Sequence, residues 1–129
     1  MIAIIEDLAK QGVELNEQNK QNLTHYYHGL HPSDYNDSEA GYLLQCANIH
    51  LALGALKQGD ETLIEGSNIA SPNSTAINTV ISVITKDKPF IRDTLIMCIN
   101  GFGANIIFTH ASLLEVGRDK KGSIRHLSP

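Results

Sequence analysis

Three histidines at three-residue intervals, His25, His28 and His31 in "HYYHGLH", form the densest group of side chains in this chain able to ligate a metal. Imidazoles three apart on a helix face one another and suit zinc. Gly29, Leu30 and Pro32 end the helix among them and send His31 in another direction, with no cysteine or clear carboxylate ligand beside it. The expectation is therefore solvated histidines at a helix end, where positive charge favours the carbonyl terminus, and no metal site.

His110, Asp93 and Ser112 are the residue types of a hydrolytic triad, yet the chain has no G-x-S-x-G elbow to raise a serine out of a strand-to-helix turn. His110 reads better as a hydrogen-bonded structural residue on a buried strand than as a general base, which needs a cleft and a tuned pKa. Gly101-x-Gly103 in "GFGAN" follows a helical pattern and precedes an extended one, the reverse of a dinucleotide loop, and lacks the third glycine. Helix cap and turn is the reading for these glycines. No residue is assigned to catalysis, to a cofactor or to a metal.

The stretch "KDKPFIRDT" concentrates Asp87, Arg92 and Asp93, and Arg118 and Asp119 follow after the next extended segment. An Arg92 to Asp119 or Asp93 to Arg118 pair would join helix and strand turn, although exposed pairs contribute only about 0 to 1 kcal/mol. Asp87, Arg92, Asp93, His110, Arg118 and Asp119 are the candidates for an effector or interface contact.

The elements that would carry these residues follow from periodicity. From Met1 to about Lys57 good helix formers dominate and proline occurs only at Pro32. The segment with Leu15, Leu23, Tyr26, Tyr27 and Leu30 has a thin apolar stripe and is expected at the periphery. After possible caps at Ser33, Asp34, Asp37 and Ser38, the residues Leu43, Cys46, Ala47, Ile49, His50, Leu53 and Leu56 recur at helical steps, and Gly59 is the stop. "ETLIEGSN" is a short strand, and Pro72, Asn73 and Ser74 mark a turn-rich connection.

"TVISVIT" carries β-branched residues on both faces, as an interior strand covered by a helix would. Asp87 is expected to cap the next helix, Pro89 to occupy its first turn, and Ile91, Leu95, Cys98, Ile99 and Phe102 to form its stripe, ending at Gly101 or Gly103. "NIIFTHASLLEV" is a second strand bent near Ala111, and "RDKKGS" a polar turn with Gly122 in a left-handed conformation.

At 129 residues the chain suits one compact domain. Fourteen acidic against ten basic residues give a net charge of −4, which argues against nucleic acid and anionic lipid as partners. Apolar runs fall well short of the roughly 20 residues of a membrane span, and four residues between Met1 and the first acidic pair are too few for a signal peptide. A cytoplasmic location is expected. Cys46 and Cys98 lie within apolar helical patterns without CxxC spacing, so both are expected to be inert buried thiols.

The segment from Thr79 to Asp119 resembles the N-terminal region of the large bacterial NAD-dependent glutamate dehydrogenases. The matches are Thr79, Val80, Asp87, Pro89, Phe90, Asp93, Ile106, His110, Arg118 and Asp119, in register without a gap and including a D-x-P-F-x-x-D spacing. "YYHGLHPSDY" and the helix to Leu56 resemble the aromatic pair, proline-containing cap and helix of the same family. The resemblance implies an α+β fold: helices, then a partial ferredoxin-like, ACT-type βαβ unit with a mostly antiparallel sheet. Residues 1–60 would be the helical lead and 61–129 the partial ACT-like unit, packed as one domain.

By the same resemblance the chain is a noncatalytic regulatory or assembly region, with no cofactor of its own and NAD in the parent protein. The parent reaction converts glutamate, NAD and water to 2-oxoglutarate, ammonia and NADH. The implied partners are the remainder of the parent polypeptide, a homodimer through an open sheet edge, and an amino-acid effector. A freestanding amino-acid sensor is the alternative. Against it, amino-acid-binding ACT modules often carry glycine where this chain has Phe90, expected here to turn toward packing. The family's His-Pro is His110-Ala111, and its paired arginine is Gly117-Arg118. A sheet left incomplete is expected to pair "TVISVIT" or its neighbour with "ETLIEGSN", with "SIRHL", or with a second copy.

Overall fold

The computed structural model describes residues 3–35, 39–57, 59–71, 75–87, 89–106, 108–111, 113–118, 120 and 124–128. Asp37, Ser38, Pro72, Asn73, Ser74, Ser112, Asp119 and Gly122, named above, lie outside them. Helices α1 (Ala3–Lys10), α2 (Glu17–Tyr26) and α3 (Ala40–Ala55) lead into a hairpin of β1 (Leu63–Ala70) and β2 (Ile77–Ile84). Helix α4 (Ile91–Gly101) and a second hairpin, β3 (Glu115–Arg118) with β4 (Ile124–Ser128), complete the order. The class is α+β with antiparallel pairing, as expected. No helix among the described residues is long and apolar enough to cross a membrane.

The core is helical. Ile4, Ile5 and Leu8 of α1 meet Leu23, Tyr26 and Tyr27 around α2, and Ala40, Leu43 and Ala47 of α3. The thin stripe of α2, expected at the periphery, is thus central: two adjacent tyrosines supply the area that fewer aliphatic residues could not, since an aromatic ring buries about 150 to 250 Å². Asn16 caps α2 by accepting from Asn19 N–H. Helix α3 starts after Glu39 with no side-chain cap. Ser33 and Asp34 serve instead in a 3-10 turn (Pro32–Asp34), where His31 and Asp34 form a reciprocal capping box. Leu56, placed on the apolar face by its spacing, falls past the last turn of α3 and is exposed.

β1 and β2 pair over their full lengths, from Leu63 opposite Ile84 to Ala70 opposite Ile77, which fulfils the expected pairing of "ETLIEGSN". Lys86 forms an ion pair with Asp60 across the base of this hairpin. Alternation along the strands turns Leu63, Ser67, Ile69, Val80, Ser82 and Ile84 toward α3, while Ile64, Ile77 and Ile81 point away and are exposed. β2 was expected inside a sheet. Among the described residues it has one strand neighbour, β1, and one covered face. β4, the "SIRHL" strand, pairs with β3 through a bulge at Gly117 and Arg118, and its buried Leu127 lies in the hairpin that packs on α2.

Four local expectations need correction. Helix α4 begins after Phe90 rather than at an Asp87 cap, and Pro89 precedes the cap. Phe90 is 77 % exposed, not turned into packing, and has φ 65°, the left-handed region where a Cβ crowds its carbonyl. The expected strand "NIIFTHASLLEV" is irregular where it is described up to Leu114, and β3 starts only at Glu115. Its apolar residues do not alternate, so no one face was available to lie on a sheet. Cys98 is exposed rather than buried, since among the described residues the α4 stripe is covered only in part, with Ile91, Leu95 and Ile99 half-buried; Cys46 is half-buried.

Candidate functional site: a tyrosine and histidine junction

The chemistry-bearing residues that the fold brings together are Tyr26, Tyr27, His50 and His110. Tyr26 and Tyr27 stand at the carbonyl end of α2, their rings edge-to-face at 4.7 Å. His50 comes from α3, its ring edge-on to Tyr26 at 5.5 Å. His110 arrives from the irregular segment after α4 and lies tilted over both tyrosines, 5.2 and 4.9 Å from their centroids.

Hydrogen bonding determines the tautomers. His50 Nε2 lies 2.9 Å from the Val83 carbonyl, which only accepts, so Nε2 carries the proton. Nδ1 is then the acceptor for the Tyr26 hydroxyl at 2.6 Å. The resulting relay runs from α2 through α3 to β2. His110 Nε2 likewise donates to the Tyr26 carbonyl at 2.6 Å. That carbonyl is among the last four of α2, which lack intrahelical donors, so His110 closes the helix end. Tyr27 donates to the Leu43 carbonyl at 2.6 Å and ties α2 to α3.

Burial dominates the electrostatics. It pushes both phenols above their ordinary range, with a further rise at Tyr26 from Cys46 and at Tyr27 from Tyr26. Desolvation lowers the His110 pKa against the opposing effect of its bond to Tyr26, and the nearby His50 and Arg92 lower it further. Burial also raises the Cys46 thiol. Tyr26, Tyr27, Cys46 and His110 are therefore neutral at pH 7 and suited to directional hydrogen bonds.

Of the candidate contact residues that are described, His110 enters this junction. Arg92 is exposed and donates from Nη2 to Thr109 Oγ1 at 2.6 Å, which fastens α4 to the residue before His110. Asp87 and Asp93 are exposed at either side of the α4 start, Arg118 ends β3, and Asp119 lies outside the described residues. The three clustered histidines separate: His25 is in the last turn of α2, His28 in the turn beyond, and His31 Nδ1 is engaged by Ser33. Among the described residues no group of three or more His, Cys, Asp or Glu side chains is placed to hold a metal. A shallow hollow between α2 and α3, lined by Asn19, Asn22, Asn48 and four leucines, is separate from the junction.

Tyr26, Tyr27 and His50 were missed as a functional group. The available signal was a histidine inside an apolar helical stripe: a polar ring there needs a partner, and a tyrosine pair is a natural supplier.

This combination of a helical lead with antiparallel strands around one helix defines an α+β unit of partial ACT type. The family model described as "Glutamate dehydrogenase, ACT1 domain" matches residues 22–129, and the chain belongs to that family. Its match begins within α2 and takes in every residue of the junction. No curated protein and no solved structure matched the chain.

Proposed function

We propose that this chain is a noncatalytic regulatory or assembly module in the N-terminal region of a large NAD-dependent glutamate dehydrogenase. One observation carries the reading beyond the family. The polar groups at the centre of the domain are spent on main-chain carbonyls, Val83 through His50, Leu43 through Tyr27 and Tyr26 through His110. A reacting site would aim such groups into a cleft at a substrate. Here they lock α3 to β2, the end of α2 to α3, and the segment after α4 to α2, as a module that positions other parts of a protein requires. Oxidation of glutamate with NAD and water, giving 2-oxoglutarate, ammonia and NADH, belongs to the rest of the parent, in a cytoplasmic setting. The partners are that remaining polypeptide and, in the regulatory form, an amino-acid effector.

Calorimetric titration with NAD, and an assay for glutamate-dependent NADH production, test the noncatalytic reading. Neither binding nor turnover is expected, and either would overturn it. A thermal-shift panel of amino acids separates assembly from sensing, since a ligand of the folded state alone raises its stability. A saturable rise with one amino acid would favour sensing, in the regulatory form or as a freestanding sensor, over assembly. Phe90, occupying with a side chain a backbone conformation natural to glycine, weighs against that outcome.

A further inference from the structure

Helix α4 ends on a pair of residues whose side chain and main chain can react with each other. Of the ten asparagines in the chain, Asn100 alone is followed by glycine. Asn100, Gly101, Phe102 and Gly103 are all exposed, and no residue of α4 is fully buried. The Asn100 carboxamide has no hydrogen-bond partner among the described residues. A Cβ placed at Gly101 would meet nothing within 4 Å, so this side of the pair is open.

The helix itself holds the pair unreactive. Within α4 the Gly101 N–H is aimed along the helical ladder, away from the side chain of Asn100. Reaction therefore waits on opening of the last turn. That turn is weak. After proline, glycine is the poorest residue in a helix interior. Phe102 N–H bonds the Ile99 carbonyl at 3.2 Å and Gly103 N–H the Asn100 carbonyl at 3.0 Å, in the tight three-residue closures of a helix end. Phe102 is 91 % exposed and adds little packing. Exposed helix ends of this kind open at small free-energy cost.

We propose that Asn100 is a site of spontaneous, one-way modification, with the chain itself as substrate and water as co-reactant. In the opened turn the Gly101 amide nitrogen attacks Asn100 Cγ. An N–Cγ bond forms, the Cγ–Nδ2 bond breaks, and the amide proton leaves with Nδ2 as ammonia. Water then opens the cyclic imide at either carbonyl, its hydroxyl going to carbon and its proton to nitrogen, and gives aspartate or isoaspartate. Both products put a carboxylate in the last turn of α4, beside the negative end of the helix dipole. In isoaspartate the main chain also gains a carbon, and the carbonyl that accepts from Gly103 becomes the free carboxylate. The last turn of α4 then stays open, while Arg92 still fastens the start of the helix to Thr109.

Ageing of the full chain in warm neutral buffer, followed by peptide mapping, should show NH replaced by O at Asn100, with aspartate and isoaspartate both present. Gly101→Ala adds its methyl group in open space and favours the closed turn, so it should slow the change by roughly fivefold or more. Asn100→Gln, whose imide would need a larger ring, should remain unmodified over the same period. In the aged chain, hydrogen exchange at the Phe102 and Gly103 amides should quicken while the amides of α2 and α3 keep their protection. An Asn100 left intact long after a free peptide of the same segment has converted overturns the proposal. So does a Gly101→Ala chain that ages as fast as the unaltered one, or an aged chain whose exchange at Phe102 and Gly103 is unchanged.

Discussion

Tyr26→Phe removes one oxygen and tests the junction directly. Tyr26 is 7 % exposed, and its hydroxyl is the donor to His50 Nδ1 at 2.6 Å. A net hydrogen bond contributes about 1 kcal/mol, and stranding a buried acceptor adds about 1 kcal/mol or more. His50 is only half-buried, so water recovers part of the second amount. The expected loss is about 1 to 2 kcal/mol, or roughly 4 to 7 °C in Tm from the usual unfolding entropy per residue. Tyr27→Phe provides the contrast. Its acceptor, the Leu43 carbonyl, lies within α3 and has a helical donor as well, so about 1 kcal/mol is expected. Urea unfolding of Tyr26→Phe, His50→Leu and the double variant measures the coupling, expected between about 0.5 and 2 kcal/mol. A coupling of zero, or a Tyr26→Phe protein as stable as the parent chain, would refute the relay from α2 through His50 to β2.

The same unfolding measurements check three further expectations. Phe90→Gly should stabilise by about 0.5 to 1 kcal/mol, since relief of the left-handed conformation exceeds the added chain entropy and the exposed ring has little packing to lose. Gly54→Ala should stabilise by about 1 kcal/mol: its Cβ would meet Ile84 Cδ1 and Ile124 Cδ1 at ordinary contact, 3.5 Å each, within a helix that favours alanine. For pH, the folded His110 pKa lies below its unfolded value of about 6.5. The unfolded state therefore binds more protons as pH falls through that value, and stability should decline from there until the folded group also protonates. Tm followed from neutral to mildly acidic pH should show this decline, and His110→Gln should flatten it.

Much of the architecture was legible because it rests on local pattern. The apolar steps from Leu43 to Leu53 are enough to define α3, and "ETLIEGSN" pairs with the β-branched run that follows it, since a turn-rich connection leaves antiparallel pairing as the short route. Two failures share a cause. A buried Phe90 and a buried Cys98 were inferred on the assumption that α4 has a full layer to pack against, whereas the Asp87 cap failed because the helix starts later, after Phe90. Where tertiary cover is lacking, an amphipathic stripe gives the right helix and the wrong burial.

The candidate site was harder to read for a related reason. Its members come from three places, the end of α2, the middle of α3 and the segment after α4, and Tyr26 and His110 are 84 positions apart. Spacing rules detect residues that share an element, so they favoured His25, His28 and His31, which the fold separates. What joins the true neighbours is an accounting of main-chain acceptors: a carbonyl in the last turn of α2 looks outside the helix for a donor, and a half-buried neutral imidazole supplies one. His110 is thus a predicted contact residue whose position depends on the helical lead and the later segment together. The Tyr26 to His110 bond joins the helical lead to the later segment beside the His50 to Val83 bond, so His110→Gln should lower stability in urea unfolding even where the relay through His50 is intact.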